Sequence, residues 1–323
     1  MNKTKIPYAD YTWNVVTGCL AGCPYCFAKR ISDRFGSHPD EDELRKDPRN
    51  AFMFPGENLR VATMKPMVAF PFGFLPTFYP DRLEEPLKVK KPSRIFVSDM
   101  GDLWGDWVPR GWIEAVLDTV RKCPQHTFLM LTKNPKRYQE FEIPDNAAIG
   151  TTVEDESKLW RVEDLLKTKA KVRFLSLEPL QNRICLRRYF RQPWFCEFCY
   201  KTDYSNMLPS KWDLVWQSAV CPECQERVAK NGGYGVVPCG AYATKPEPRP
   251  WKSPIHWVIV GAQSGPNAVQ MDEDWVREIR DECQEFRIPM FYKQRIVNGK
   301  KVEMPELDGR VWGEYPRGYV LDA

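Results

Sequence analysis

Three cysteines near the start of the chain are spaced to hold iron. Cys19, Cys23 and Cys26 form C-x3-C-x2-C within Gly18-Cys19-Leu20-Ala21-Gly22-Cys23-Pro24-Tyr25-Cys26. Ordinary electron-transfer clusters take four cysteine thiolates. Three thiolates on one tight loop hold three irons of a [4Fe–4S] cluster and leave the fourth iron open to a small molecule. Tyr25 places an aromatic ring directly before the last thiol, where it could shield a cluster or contact a bound adenine. The competing use is a structural zinc site completed by a distant ligand, but such sites usually draw on two separated pairs.

Separated pairs occur later in the chain. Cys196 and Cys199, then Cys221 and Cys224, form two C-x2-C pairs with 21 residues between them. This is close to zinc-ribbon spacing and predicts a structural Zn²⁺ held by four thiolates. A small segment without a core of its own gains much of its folding free energy from such a metal. An auxiliary iron–sulfur cluster is the alternative, since it also accepts four thiolates. Cys123 and Cys283 sit at apolar helical stripes and read as packed thiols, while Cys185 and Cys239 flank the zinc pairs.

These groups need a scaffold, and the rest of the chain describes one. The 323 residues are 43% hydrophobic and 28% charged, which is enough to bury a sizeable core and excludes whole-chain disorder. Only three histidines are present, and none is in a paired motif, which weighs against a zinc hydrolase or a Ser-His-Asp triad. No phosphate-cradling or dinucleotide glycine motif occurs. The first ten residues lack the apolar region of a secretory signal. The longest apolar stretch, 67–78, is broken by Pro71 and Pro76 and is too short to span a bilayer. The expectation is a soluble, cytoplasmic protein (host cytoplasm if phage-encoded) with reduced thiols and no membrane partner.

Strand-like runs lie at Thr12–Thr17, Arg94–Ser98, His126–Thr132, Ala148–Val153, Val172–Leu177, His256–Gly261 and Met290–Lys293. Helical apolar patterns fall between several of them, as in Trp112–Cys123, Asp155–Leu166 and Asp272–Phe286, with Asp155 and Asp272 as helix caps. Alternation of this kind predicts parallel strands with crossover helices. The fold class expected is α/β, a (β/α) barrel that is full or partly open, with a doubly wound sheet as the competitor. Residues 181–255 break the alternation and contain the paired cysteines. Their removal leaves 248 of the 323 residues, close to the roughly 250 of such a barrel. The expected organisation is a barrel of residues 1–180 plus 256–323, with 181–255 as an inserted zinc-ribbon-like subdomain that has four cysteine ligands.

The cysteine triplet, with its aromatic before the third thiol, resembles the radical S-adenosylmethionine (radical SAM) superfamily. A closer resemblance, to the phage and bacterial three-Cys-motif proteins of that type, rests on several further stretches. They are Thr12-Trp13-Asn14, Val97-Ser98-Asp99-Met100-Gly101-Asp102-Leu103, Leu131-Thr132-Lys133-Asn134-Pro135, Ser176-Leu177-Glu178-Pro179-Leu180 and Gly261-Ala262-Gln263-Ser264-Gly265. The resemblance implies a [4Fe–4S] cluster on Cys19, Cys23 and Cys26. Its open iron is chelated by the amine and carboxylate of S-adenosylmethionine, which is cleaved reductively to a 5′-deoxyadenosyl radical that abstracts hydrogen from a substrate. The electron comes from a donor of flavodoxin or ferredoxin type.

Barrel active sites sit at the C-terminal ends of the strands. Ser98, Asp99 and Asp102 follow the second strand, and Lys133 and Asn134 the third. Thr151, Thr152 and Glu154 close the fourth and Glu178 the fifth; Gln263 and Ser264 follow the sixth, and Lys293 and Gln294 the last. Of these, Ser98, Asp99, Asp102, Lys133, Thr152, Glu154, Glu178, Gln263 and Ser264, together with Tyr25, form the expected cofactor-binding set. The superfamily's usual Gly-Gly-Glu turn is replaced by Asp99-Met100-Gly101-Asp102, which assigns the amine contact to Asp99.

The insert carries 11 Lys or Arg against 6 Asp or Glu, a net +5 in a chain that totals +4. Arg183, Arg187, Arg188 and Arg191 cluster at its start, and Trp194, Phe195, Phe198, Tyr200, Tyr204, Trp212 and Trp216 interleave with its charges. Such a surface could grip phosphates and stack on bases, or it could be a solvated basic face around an aromatic mini-core. The reading is a radical SAM enzyme acting on DNA or RNA, in base modification or repair. The alternatives are modification of a protein or peptide, and a non-catalytic iron–sulfur sensor that binds nucleic acid.

Overall fold

Runs of Val, Ile, Phe and Leu favour a pleated sheet buried on both faces, and a computed structural model of the chain gathers them into one. The structure describes residues 1–36, 60–61, 70–190, 194–195, 202–203, 213–215, 218–220, 253–265, 268, 270–316 and 319. The main sheet has nine strands, each beside the next in chain order. They are β1 (Asn2–Lys3), β2 (Tyr11–Trp13), β3 (Arg94–Val97), β4 (Thr127–Thr132), β5 (Ala147–Thr152), β6 (Val172–Leu177), β7 (Trp257–Gly261), β8 (Met290–Val297) and β9 (Lys300–Glu303). Strands β2 to β8 are parallel, as the alternation predicted. The outer strands β1 and β9 pair antiparallel at the two edges.

Parallel neighbours need crossovers, and four of the six run through helices: α1 (Phe27–Phe35) after β2, α2 (Arg110–Arg121) after β3, α3 (Trp160–Leu166) after β5 and α4 (Glu273–Glu285) after β7, while a 3-10 stretch, Pro135–Glu140, follows β4 and a single helical turn, Arg187–Phe190, follows β6. Helix α2 buries Ile113, Val116, Leu117 and Val120, the stripe read from the sequence. Asp272 caps α4 through the amide of Asp274, and Asp155 caps a short 3-10 turn through that of Ser157. Both are caps, as expected.

Successive strand residues point to opposite faces, so each parallel strand feeds two cores. Ile95, Val97, Phe128, Met130, Ile149, Leu175, Val258 and Val260 enter the larger core. Phe96, Leu129, Ala148, Phe174, Trp257, Ile259 and Phe291 enter the second, around Tyr8. The ring of Tyr8 lies 6.3 Å from that of Phe96 on β3 and 5.5 Å from that of Phe291 on β8. Those strands are five spacings apart, about 24 Å in a flat sheet. The sheet therefore curls around an aromatic plug. Among the described residues no ladder joins its two edges. The physical reason is that β1 and β9 take up the edge hydrogen bonds that closure would need. The expected barrel is thus an open, curled, mostly parallel sheet.

Within 181–255 the described residues include two short antiparallel pairs, Trp194–Phe195 with Thr202–Asp203 and Asp213–Val215 with Ser218–Val220. Cys196, Cys199, Cys221 and Cys224 lie outside the described residues. The start of the region belongs to the main core, where Ile184, Leu186, Tyr189 and Phe190 are buried. Arg183, Arg187 and Arg188, at the start of the basic region, are exposed and engaged in surface ion pairs. They pair with Glu278, Glu285 and Glu163 on α4 and α3. No helix among the described residues is long and apolar enough to cross a membrane.

Candidate functional site

The cysteine loop leaves the sheet through a tight seam. Gly18 has φ +79°, and a Cβ there would lie 2.2 Å from the carbonyl oxygen of Leu75, so only glycine fits. The amide of Gly18 donates to Met100 at 2.9 Å and that of Cys19 to Phe74 at 3.2 Å. Cys26 then caps α1, its sulfur accepting from the amide of Lys29 at 3.3 Å. All three thiols line one cavity of about 410 Å³, a volume in the usual range for small-molecule sites. Burial pushes the Cys19 thiol up to about 12 and raises that of Cys23, while a bound metal deprotonates its coordinating thiols outright. Among the described residues no three His, Cys, Asp or Glu side chains converge as they would on a single ion. A cubane asks for something else, since each thiolate binds its own iron and the sulfurs stand around the cluster.

The other walls of this cavity come from the C-terminal ends of the strands. Ser98, Lys133, Thr152, Ser176, Glu178, Gln263 and Lys293 all line it. Each continues the parity of the second core: Phe96 leads to Ser98, Leu131 to Lys133, Phe174 to Ser176 and Glu178. Tyr8 and Phe96 line the same cavity, so the aromatic plug is its floor.

The carboxylates of the site have distinct partners. Asp102 is buried, and its oxygens accept from the Thr132 hydroxyl at 2.8 and 2.9 Å and from the amides of Trp104 and Lys133 at 3.0 and 3.2 Å. Burial raises its pKa despite these donors. It ties the turn after β3 to the end of β4, and its acceptor capacity is taken up by protein. Asp99 accepts from the side-chain amide of Asn14 at 2.7 Å; burial raises its pKa, and only Asn14 and the nearby Lys293 oppose this among side chains. Glu154 binds the Tyr25 hydroxyl, Lys133, and Arg161 at 2.8 Å. Burial opposes its charge, but these partners outweigh burial and hold its pKa below the ordinary value. Glu178 accepts from Lys293 through both oxygens, at 2.7 and 2.8 Å. Burial lowers the pKa of Lys293, yet Glu178 more than offsets it and the net shift is upward.

Ser98 is the exception. It is 4% exposed, sits at φ +54°, and its buried hydroxyl has no hydrogen-bond partner. Strained backbone and an orphaned polar atom facing a cavity mark a place where a ligand is expected to supply the missing bond.

Of the residues expected around the cofactor, the cavity gathers Cys19, Cys23, Tyr25, Cys26, Ser98, Asp99, Asp102, Lys133, Thr152, Glu178, Gln263 and Ser264. Glu154 stands behind the wall and reaches the cavity through Tyr25 and Lys133. Arg30 holds the carbonyl of Ser264 at 3.0 Å, joining α1 to the turn after β7. Thr151 and Asn134 are structural, donating to the Thr132 carbonyl at 2.9 Å and the Trp104 carbonyl at 3.1 Å. Sequence reasoning missed Tyr8 and Ser176. Ser176 could have been found from strand parity; Tyr8, in a short turn without periodicity, gave no such signal.

Solved structures of spore photoproduct lyase are similar to this chain. The lyase complexed with dinucleoside spore photoproduct gives a TM-score of 0.42 at 9% identity, over 88% of this chain and 75% of that one. A double mutant with bound AdoMet and the dinucleoside gives 0.42, again at 9% identity over 88% and 75%. A single-substitution mutant gives 0.43 at 10% over 90% and 77%. At such distance these likenesses carry no argument about activity. No curated protein sequence matches the chain. The profile of one family covers residues 3–316, nearly the whole molecule, and the chain therefore belongs to DUF5131, described as a protein of unknown function.

Proposed function

We propose that this chain is a radical SAM enzyme. One observation carries the reading: three thiols with C-x3-C-x2-C spacing open onto the same cavity as polar side chains from the ends of β3 to β8. The donor set fits a cluster with an open iron, and the orphaned Ser98 hydroxyl fits a polar ligand beside it. When bound, the cluster and S-adenosylmethionine would supply reductive carbon–sulfur cleavage and hydrogen abstraction from an unreactive C–H bond.

The chain's own residues would bind and orient. Cys19, Cys23 and Cys26 would hold the cluster. Asp99 and Glu178 present carboxylates to a cofactor's ammonium or ribose hydroxyls, and Ser98 offers a hydroxyl. Tyr8, Phe96 and Phe74 exclude water from the floor and wall. The electron would come from a flavodoxin- or ferredoxin-type donor. The spacing of Cys196, Cys199, Cys221 and Cys224 supports a structural Zn²⁺ in the insert.

The substrate we favour is DNA or RNA, in base modification or repair. The net +5 and the interleaved aromatics of 181–255 support it, although three of those arginines are committed to ion pairs. Anaerobic reconstitution followed by reduction with S-adenosylmethionine should yield iron–sulfur absorption and 5′-deoxyadenosine. Zinc uptake without iron overturns the reading, and an iron-loaded protein that forms no 5′-deoxyadenosine reduces it to a sensor. Salt-sensitive nucleic-acid binding supports the substrate class; binding indifferent to salt excludes it.

A further inference from the structure

The cysteine loop is fastened in two different ways along its length. Its first half is sewn to the fold by backbone: Gly18 bridges Gly101, and Cys19 reaches Phe74. Past Cys19 the seam ends. Leu20 is 44% exposed, and the backbone bonds of Cys23 and Cys26 are local, between Cys26 and Cys23 and into the first turn of α1. Among the described residues, the hydrogen bonds that carry residues 20–26 to a distant part of the chain are those of the Tyr25 hydroxyl. It accepts from the ammonium of Lys133 at 3.0 Å and donates to Glu154. Glu154 is in turn fixed by Lys133 and by Arg161, which also donates to the carbonyl of Thr152 at 2.9 Å. The hydroxyl is therefore satisfied as donor and as acceptor by groups at the ends of β4 and β5.

Resting on the reading of Cys19, Cys23 and Cys26 as iron ligands, we infer that Tyr25 is the anchor that holds the second half of the loop in place for a cluster, with Glu154 as its post. Tyr25 is then a positioning residue: it acts through Cys23 and Cys26, between which it lies, and its phenol is committed to the sheet. Loops held by few bonds open locally without unfolding the molecule. Losing the anchor should let Cys23 and Cys26 fray from the iron while leaving the fold intact.

Tyr25→Phe removes one hydroxyl and keeps the ring, so it tests the anchor directly. The variant, shown to fold by circular dichroism, is reconstituted anaerobically to the wild-type iron content and mixed with a coloured iron chelator. Iron release about tenfold faster than wild type is expected, as for one lost hydrogen bond to a charged acceptor. In a Glu154→Gln background the factor from Tyr25→Phe should shrink, because the charged partner is already gone. Release at the wild-type rate overturns the anchor while leaving the cluster standing, and an equal factor in both backgrounds overturns the role of Glu154. Wild-type protein that takes up no iron overturns the iron-ligand reading and the anchor together.

Discussion

Glu154 and Glu178 follow neighbouring strands at equivalent register on the same face of the sheet, yet their surroundings differ. Glu154 is gripped by a lysine, an arginine and a phenol and stands behind the cavity wall. Glu178 has Lys293 as its ion-pair partner and lines the cavity itself. A carboxylate whose acceptor sites are filled by protein can position other groups but has little left for a ligand. One with a single partner can exchange part of that partnership for a ligand's ammonium or hydroxyls. Position at a strand end thus marks both residues, while the number of partners separates scaffold from binding surface.

The largest test of that contrast is Glu154→Leu. It strands Lys133 and Arg161 near or below the surface without their counter-charge and should cost about 3–5 kcal/mol in urea unfolding of the metal-free protein. A loss below about 1 kcal/mol would mean the network is slack. The same group sets an acid dependence. Because the folded-state pKa of Glu154 is depressed, its contribution is complete above the unfolded value, about 4.3, and is lost as pH falls through the lower folded value. Acid unfolding curves of wild type and Glu154→Gln should therefore converge at low pH.

Glu178→Gln comes next. It should weaken S-adenosylmethionine binding about tenfold, roughly 1.4 kcal/mol, with the fold retained. Calorimetric titration giving wild-type affinity would remove Glu178 from the site. Asp99 sharpens the comparison with the opposite sign: its folded-state pKa is raised by burial, so ionisation above the unfolded value of about 3.9 works against folding. Asp99→Asn keeps an acceptor for Asn14 and should raise stability at neutral pH, as read in urea unfolding. A loss of stability there would show that the charge is compensated. Smallest of all, Ser98→Ala should leave urea stability within about 0.5 kcal/mol while lowering S-adenosylmethionine affinity about threefold. An equal affinity would leave the hydroxyl without a ligand.

The seven parallel strands were legible because β-branched and aromatic runs announce themselves. Thr12–Thr17 has the pattern of one strand, but it splits: Tyr11–Trp13 joins the main sheet, while Val16–Thr17 turns away to pair with Thr77–Phe78. Asn14 lies between the two pieces, where its side chain bonds Asp99 and the amide of Met100, and no periodicity records that diversion. Lys300–Glu303 was invisible as a strand because all four residues are exposed. Residues such as Glu154 and Glu178 could be assigned to the rim from strand order. Their different partners could not, because Tyr25, which binds Glu154, and Lys293, which binds Glu178, lie more than a hundred residues away in sequence.

The curl of the sheet around Tyr8 gives the well of the candidate site a bottom, and depth imposes a queue. A molecule whose reacting atom must lie deepest has to arrive before whatever settles above it, and it can depart only after that neighbour has cleared the way. Order of addition would then be written into the shape of the molecule, and Tyr8, at the foot of the well, would be the residue that enforces it.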